Sequence, residues 1–155
     1  MLNSATSYVV FSVRGHRLAL PLANVKRITR AAAVLPLPGA PAPLRGVVNL
    51  QGRLVPVVSL QHWLGLPAQE IQVSDQFIIV QIAERTLVVV VDAVAGLWDG
   101  PAEAVSPGAQ IGPPLAGVRG VAQHPEGLLL VTDLAPLLAL VDSSPAPIPS
   151  LAAAP

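Results

Sequence analysis

Gly46–Leu60 reads GVVNLQGRLVPVVSL. Two β-branched runs flank Gln51–Gly52, a pattern that predicts a strand, a tight turn and a second strand. A blurred copy lies near the C-terminus. Gly120–Val121 opens it, Glu126–Gly127 breaks it, and Leu128–Leu134 (LLLVTDL) parallels Leu54–Leu60 (LVPVVSL). Gly46 to Gly120 and Leu54 to Leu128 keep one offset, as an internal repeat does. Repeated small β-units with little polar chemistry point to a binding scaffold before an enzyme.

Moving outward, Tyr8–Val13 (YVVFSV) and Leu18–Leu22 (LALPL) form a hairpin pattern around Arg14–Arg17, where Gly15 tolerates positive φ. Phe77–Ile82, a turn at Ala83–Arg85, and Leu87–Val91 repeat it without a gap: Tyr8 matches Phe77, Val13 matches Ile82, Leu18 matches Leu87 and Val25 matches Val94. A short helical pattern closes each copy. Leu60–Leu64 ends at Gly65 and Pro67; the second pattern starts at Asp133, a plausible cap, and runs to Leu140 with Pro136 in its first turn.

Short strands with regular turn signals predict an all-β chain of two packed five-stranded SH3-like barrels with a few short helices. The sequence divides into residues 1–7, a flexible N-terminus; 8–141, one domain of two intertwined subdomains (approximately 8–75 and 76–141); and 142–155, a disordered Pro/Ala-rich tail. Whether the N-terminal strand pairs within its own copy or with the other is open. Pro21 and Pro56 are expected at edges or bulges. Ala31–Pro43 and Trp98–Pro114 read as Pro-rich surface loops at corresponding places.

Composition narrows the function. The 155 residues are 52% hydrophobic and 12% charged, with a net charge of +0. A core is easily buried, and an apolar patch is available for a partner. No basic excess exists to grip a nucleic-acid backbone, and 3% aromatic content offers little base stacking. No cysteine is present, so disulfide and thiol chemistry are excluded. No signal-peptide pattern opens the chain, and no apolar run is long enough for a spanning helix, so direct membrane insertion is not expected.

Catalytic motifs are missing. His16, His62 and His124 form no pair at metal-ligand spacing, and the carboxylates are scattered over turns and loop edges. Asp92 follows an apolar run, where capping the turn at Ala93–Val94 is the simplest role. No G-x-S-x-G elbow or phosphate-binding loop occurs, and Lys26 is the only lysine. Neither a cofactor nor a metal is expected.

One ordered set of motifs remains: LALPLANVKRI (18–28), LPLPGAP (35–41), LRGVVNLQGRLVPVVSL (44–60), LGL (64–66) and LVVVVDAV (87–94). Together they resemble the CheW-like coupling proteins of bacterial chemotaxis, over nearly all of residues 8–140. The G-V-x-N-L-x-G-x-x-x-P-V core carries most of the specificity. The resemblance implies the twin-barrel fold and a non-catalytic adaptor. It would be cytoplasmic, recruited to membrane-associated receptor arrays. Its implied partners are the regulatory domain of a CheA-type histidine kinase and the cytoplasmic tip of methyl-accepting chemoreceptors, with ring assembly, through the kinase or itself, as a further implication.

The resemblance also implies a receptor- or kinase-binding surface on the Gly46–Gly52 hairpin and the groove between barrels. The residues it designates are Val25, Arg27, Arg45, Gly46, Val47, Asn49, Gln51 and Gly52. Three positions depart from the family pattern: Gln51 where Arg is usual, Arg27 where Glu is frequent, and Ser59 where Asp is common. All three alter charge at or near the implied partner surfaces. Simpler readings coexist: backbone geometry for Gly46 and Gly52, a self-satisfied turn for Asn49, core packing for Val25. Two other functions stay open: a ligand- or nucleic-acid-binding module sharing only the fold, and, last in rank, a hydrolase using His62 and dispersed carboxylates.

Overall fold

Three tight turns carry positive φ at both central residues: Arg14–Gly15 (51° and 85°), Gln51–Gly52 (52° and 88°) and Ala83–Glu84 (48° and 68°). This turn twist matches that of the strands it joins, so each turn makes a hairpin. A computed structural model describes residues 5–39, 44–61, 64–67, 69–101, 105–107 and 118–142. The strands are β1 (Ala5–Val13), β2 (His16–Pro21), β3 (Val25–Arg30), β4 (Leu44–Leu50), β5 (Arg53–Ser59), β6 (Gln76–Ile82), β7 (Arg85–Val91), β8 (Ala93–Pro101), β9 (Val105–Pro107), β10 (Val118–His124) and β11 (Gly127–Thr132). One 3₁₀ turn, Leu22–Asn24, precedes β3, and one helix, α1 (Ala135–Asp142), follows β11.

The strands form a six-stranded sheet, β8-β1-β2-β11-β10-β9, and a five-stranded sheet, β3-β6-β7-β5-β4. The sixth strand in the first is the three-residue β9, which pairs with β10. In the other sheet Leu35 does the same work, exchanging backbone hydrogen bonds with Val47 of β4 at 2.8 and 2.9 Å. Each connection after an edge strand thus returns to the opposite edge and closes a small barrel.

The repeat is exact in register and crossed in space. Tyr8 faces Pro21 as Phe77 faces Val90, and Gly46 faces Val57 as Gly120 faces Val131. Yet β1 pairs with β8, and β3 pairs with β6. The parallel pairs, β2 with β11 and β5 with β7, cross between copies as well. Each barrel therefore combines the first hairpin of one copy with the remaining strands of the other. The sheets do not follow the sequence halves 8–75 and 76–141.

Alternation divides the apolar residues among three cores. Tyr8, Val10, Ala19, Ala122, Leu129 and Val131 fill the first barrel. Val48, Val55, Val57, Phe77, Ile79, Val88 and Val90 fill the second. The opposite faces of the same strands meet between the barrels, where Val9, Phe11, Leu18, Leu20, Ile78, Val80, Leu87 and Val89 form the central core. Leu134 and Val141 bring α1 onto it.

Several local expectations are revised. The first strand starts at Ala5, so residues 5–7 pair with β8, not with solvent. Trp98–Pro101 is the end of β8 and not loop. Pro56 lies inside an interior strand: Val47, opposite it, directs its N–H and C=O to Leu35, so the Val47–Pro56 pair exchanges no hydrogen bond. Asp92 does not cap its own turn. Its Oδ2 accepts the Arg14 N–H at 2.6 Å, while the Val94 N–H donates to Gln76 Oε1 at 2.7 Å. In the expected helix Leu60–Leu64, His62 and Trp63 lie outside the described residues; the Leu64 N–H donates to Leu60 and Gln61 carbonyls at 3.2 and 3.1 Å. The other closing helix begins at Ala135, whose N–H donates to Asp133 Oδ1 at 3.1 Å. Positions 1–4 and 143–155, which hold most of the two expected disordered ends, also lie outside the described residues.

Candidate functional site

The family-implied residues separate into a supporting group and an exposed group. Val47 is fully buried, and Val25 packs against the central core. Gly46 is buried too, at φ +149°, and a Cβ there would lie 2.2 Å from the Leu35 carbonyl oxygen. Only glycine lets the closing strand approach β4 this closely. Asn49 is exposed and occupied by its own turn: its Oδ1 accepts the Gly52 N–H at 2.8 Å. Ser59 is buried and not at a surface; its Oγ accepts the Gln61 N–H at 3.3 Å, the role Asp133 plays in the other copy.

Arg27 and Gln51 come together, although they are distant in sequence. They line a cleft of about 270 Å³ at one mouth of the second barrel. Lys26 and Arg27 enter from β3, Arg53, Leu50 and Gln51 from the β4–β5 turn, Val55 from β5, Ile79 from β6 and Thr86 from β7. Its floor, Leu50, Val55 and Ile79, belongs to the barrel interior or packs on it. Its rim carries three cations and no carboxylate.

Arg45 is elsewhere. With Glu70 it lines a second cleft of about 580 Å³, between residues 31–36 and 70–73. Val73 and Leu35 stand exposed in those two segments, at 92% and 58%. Between the barrels lies a third, small cleft of about 80 Å³, edged by Pro21, Asn24, Ile82 and Thr132–Ala135. It shares no lining residue with the cleft at the hairpin tip.

Lys26, Arg53, Leu50, Val55, Ile79 and Thr86 were not among the expected site residues. The visible signal was the cationic run Lys26–Arg27 on an otherwise low-charge chain; its partner Arg53 is joined to it only by the sheet order. Among the described residues no group of His, Asp and Glu is placed to hold a metal.

The comparisons with known proteins decide the family. The model of the CheW-like domain matches residues 7–142. The chain belongs to the CheW-like family.

A CheW chemotaxis protein of Rhizobium meliloti is 30% identical over 97 residues, which cover 63% of each chain. One of Bacillus subtilis is 31% identical over 86 residues, 56% of this chain and 54% of the other. The chain thus spans less than two thirds of the length of these relatives. The fold is similar to the crystal structure of the scaffolding protein TtCheW from Thermoanaerobacter tengcongensis, with a TM-score of 0.74, 24% identity, and 84% and 90% of the two chains covered.

Proposed function

We propose that this protein is the adaptor that couples the cytoplasmic tips of chemoreceptors to the regulatory domain of a CheA-type histidine kinase. The observation that carries the reading is the CheW-like match over residues 7–142, with the Gly46–Asn49–Gly52 frame intact. The physical basis is surface and shape. A twin barrel offers strand ends and open mouths for another small barrel, and clefts for a helical hairpin. Contacts of this kind are modest in area and reversible, as signalling requires.

In this reading Arg27, Gln51 and Gly52 contact a partner at the hairpin-tip cleft, and Arg45 contacts one at the neighbouring cleft. Val25, Gly46 and Val47 hold the frame from within, and Asn49 holds the turn from the surface. The protein acts in the cytoplasm at receptor arrays and contributes to ring assembly there through the kinase. No helix among the described residues is long and apolar enough to cross a membrane.

Size-exclusion chromatography with the kinase regulatory domain and a receptor-tip fragment from the same genome tests the reading. Co-elution with at least one is expected. Elution of all three as separate species would refute it.

A further inference from the structure

The crossed repeat allows one barrel mouth to be compared with the other, residue by residue. In the first barrel Trp98 faces Tyr8 across β8 and β1. Its ring stacks on Tyr8 at 5.7 Å and 26°, and meets His124 edge-on at 5.5 Å. Gly100 lies beneath: a Cβ there would be 2.5 Å from the indole. The first barrel thus carries its own aromatic plug.

In the second barrel the equivalent positions read differently. Thr29 faces Phe77 where Trp98 faces Tyr8, and Leu50 stands for His124. Ala31, whose N–H bonds to Asp75, stands for Gly100 and carries the Cβ that the indole excludes. Arg27 faces Ile79 where Gly96 faces Val10. Of these positions Arg27, Leu50 and Ile79 line the cleft of about 270 Å³, which opens over Ile79 and Val55; Thr29, Ala31 and Phe77 do not line it. The cations Lys26, Arg27 and Arg53 rim it, all exposed. The chain as a whole has nine cations and nine anions, so three cations without a lining anion are a local imbalance. Among the described residues these three form no ion pair; the recorded pair, Arg17–Glu126, is in the other barrel.

We infer that this mouth is completed in trans by a partner protein that inserts an apolar side chain flanked by carboxylates. The apolar floor of Leu50, Val55 and Ile79 receives the inserted side chain. The rim selects acidic neighbours and rejects basic ones by like-charge repulsion. The inference rests on the adaptor reading for the identity of the partner, and on the cleft alone for its chemistry.

Two arms test it on the full chain. First, the ¹⁵N-labelled protein is titrated with a short capped peptide alternating glutamate and leucine, and with its glutamine–leucine counterpart. Shifts at the amides of Lys26, Gln51, Arg53 and Thr86 are expected, with at least about tenfold preference for the glutamate peptide at low salt. That preference disappears in Arg27→Glu/Arg53→Glu. Equal response to both peptides, or shifts mapping elsewhere, overturns the inference. Second, the kinase and receptor fragments are titrated with the unmodified chain and the double variant. About tenfold weaker binding by the variant at low salt, shrinking in 0.5 M salt, is expected. Binding by both forms with equal affinity removes the cleft while leaving the adaptor reading intact. Binding of neither fragment to the unmodified chain removes the adaptor reading, and the peptide arm then decides the cleft by itself.

Discussion

The carbonyl oxygen of Leu35 sits 2.2 Å from the place a Cβ on Gly46 would occupy. That approach lets residue 35 bond to Val47 and close the second barrel. Gly46→Ala must therefore break the closure or strain it, at about 2–4 kcal/mol. Gly52→Ala, at φ +88° with open space around it, is expected to cost only about 1 kcal/mol. Urea denaturation of the two variants checks the difference; equal costs would show that positive φ alone governs both sites.

Trp98 fills the first barrel mouth by contact with Tyr8 and His124. Trp98→Ala leaves a void that rigid strands cannot collapse, and an expected loss of about 2–4 kcal/mol. Thermal unfolding followed by circular dichroism measures it. A loss below about 1 kcal/mol would mean that the ring lies on the surface and does not plug the barrel.

Asp92 ties the Arg14 turn to the β7–β8 junction through its bond to the Arg14 N–H. Asp92→Ala leaves that part-buried N–H without its acceptor and is expected to cost about 1–2 kcal/mol. Amide exchange at Arg14 should accelerate in the variant. Unchanged exchange would assign the protection of that amide to something other than the carboxylate.

Arg17 and Glu126 form an exposed ion pair between β2 and the β10–β11 turn. The hydrogen bond from Arg17, and then its charge, hold the Glu126 carboxyl below its ordinary value of 4.5. A lowered folded-state pKa means stability that is present above the unfolded value and lost as pH falls through the folded one. The window therefore lies at and below the ordinary carboxylate range, and the effect is small because the pair is solvated. Carboxyl-detected NMR titration should place Glu126 below its ordinary value, and Arg17→Ala should raise its midpoint. A Glu126 midpoint unmoved by Arg17→Ala would contradict the pairing.

Much of the architecture was legible because its signals are local. A tight turn announces itself by Arg-Gly or Gln-Gly between apolar runs, and the gap-free match of Tyr8–Val25 to Phe77–Val94 predicts one ladder from the other. The exchange of hairpins between copies was not legible. Strand pairing across the chain is decided by which apolar faces must meet in the central core, and Val9 or Ile78 reads the same either way. Trp98 reads as a loop residue because Gly100 and Pro101 follow it; its strand is held by pairing with β1, which leaves no trace nearby. Of the candidate site, Arg27 and Gln51 were legible as charge departures at a hairpin tip. That Lys26 and Arg53 join them, and that Arg45 faces a different cleft, depends on the order β3-β6-β7-β5-β4. Ser59 reads as a surface departure because it replaces a common aspartate, but it is buried beneath the turn it caps.

The adaptor reading is tested most directly by reconstituting the kinase with receptor-bearing membranes from the same genome, with and without this protein. Kinase autophosphorylation that becomes receptor-dependent only when the protein is added is the expected result. Kinase activity unchanged by the protein, at concentrations where all three components are in excess of one another's binding, would contradict it.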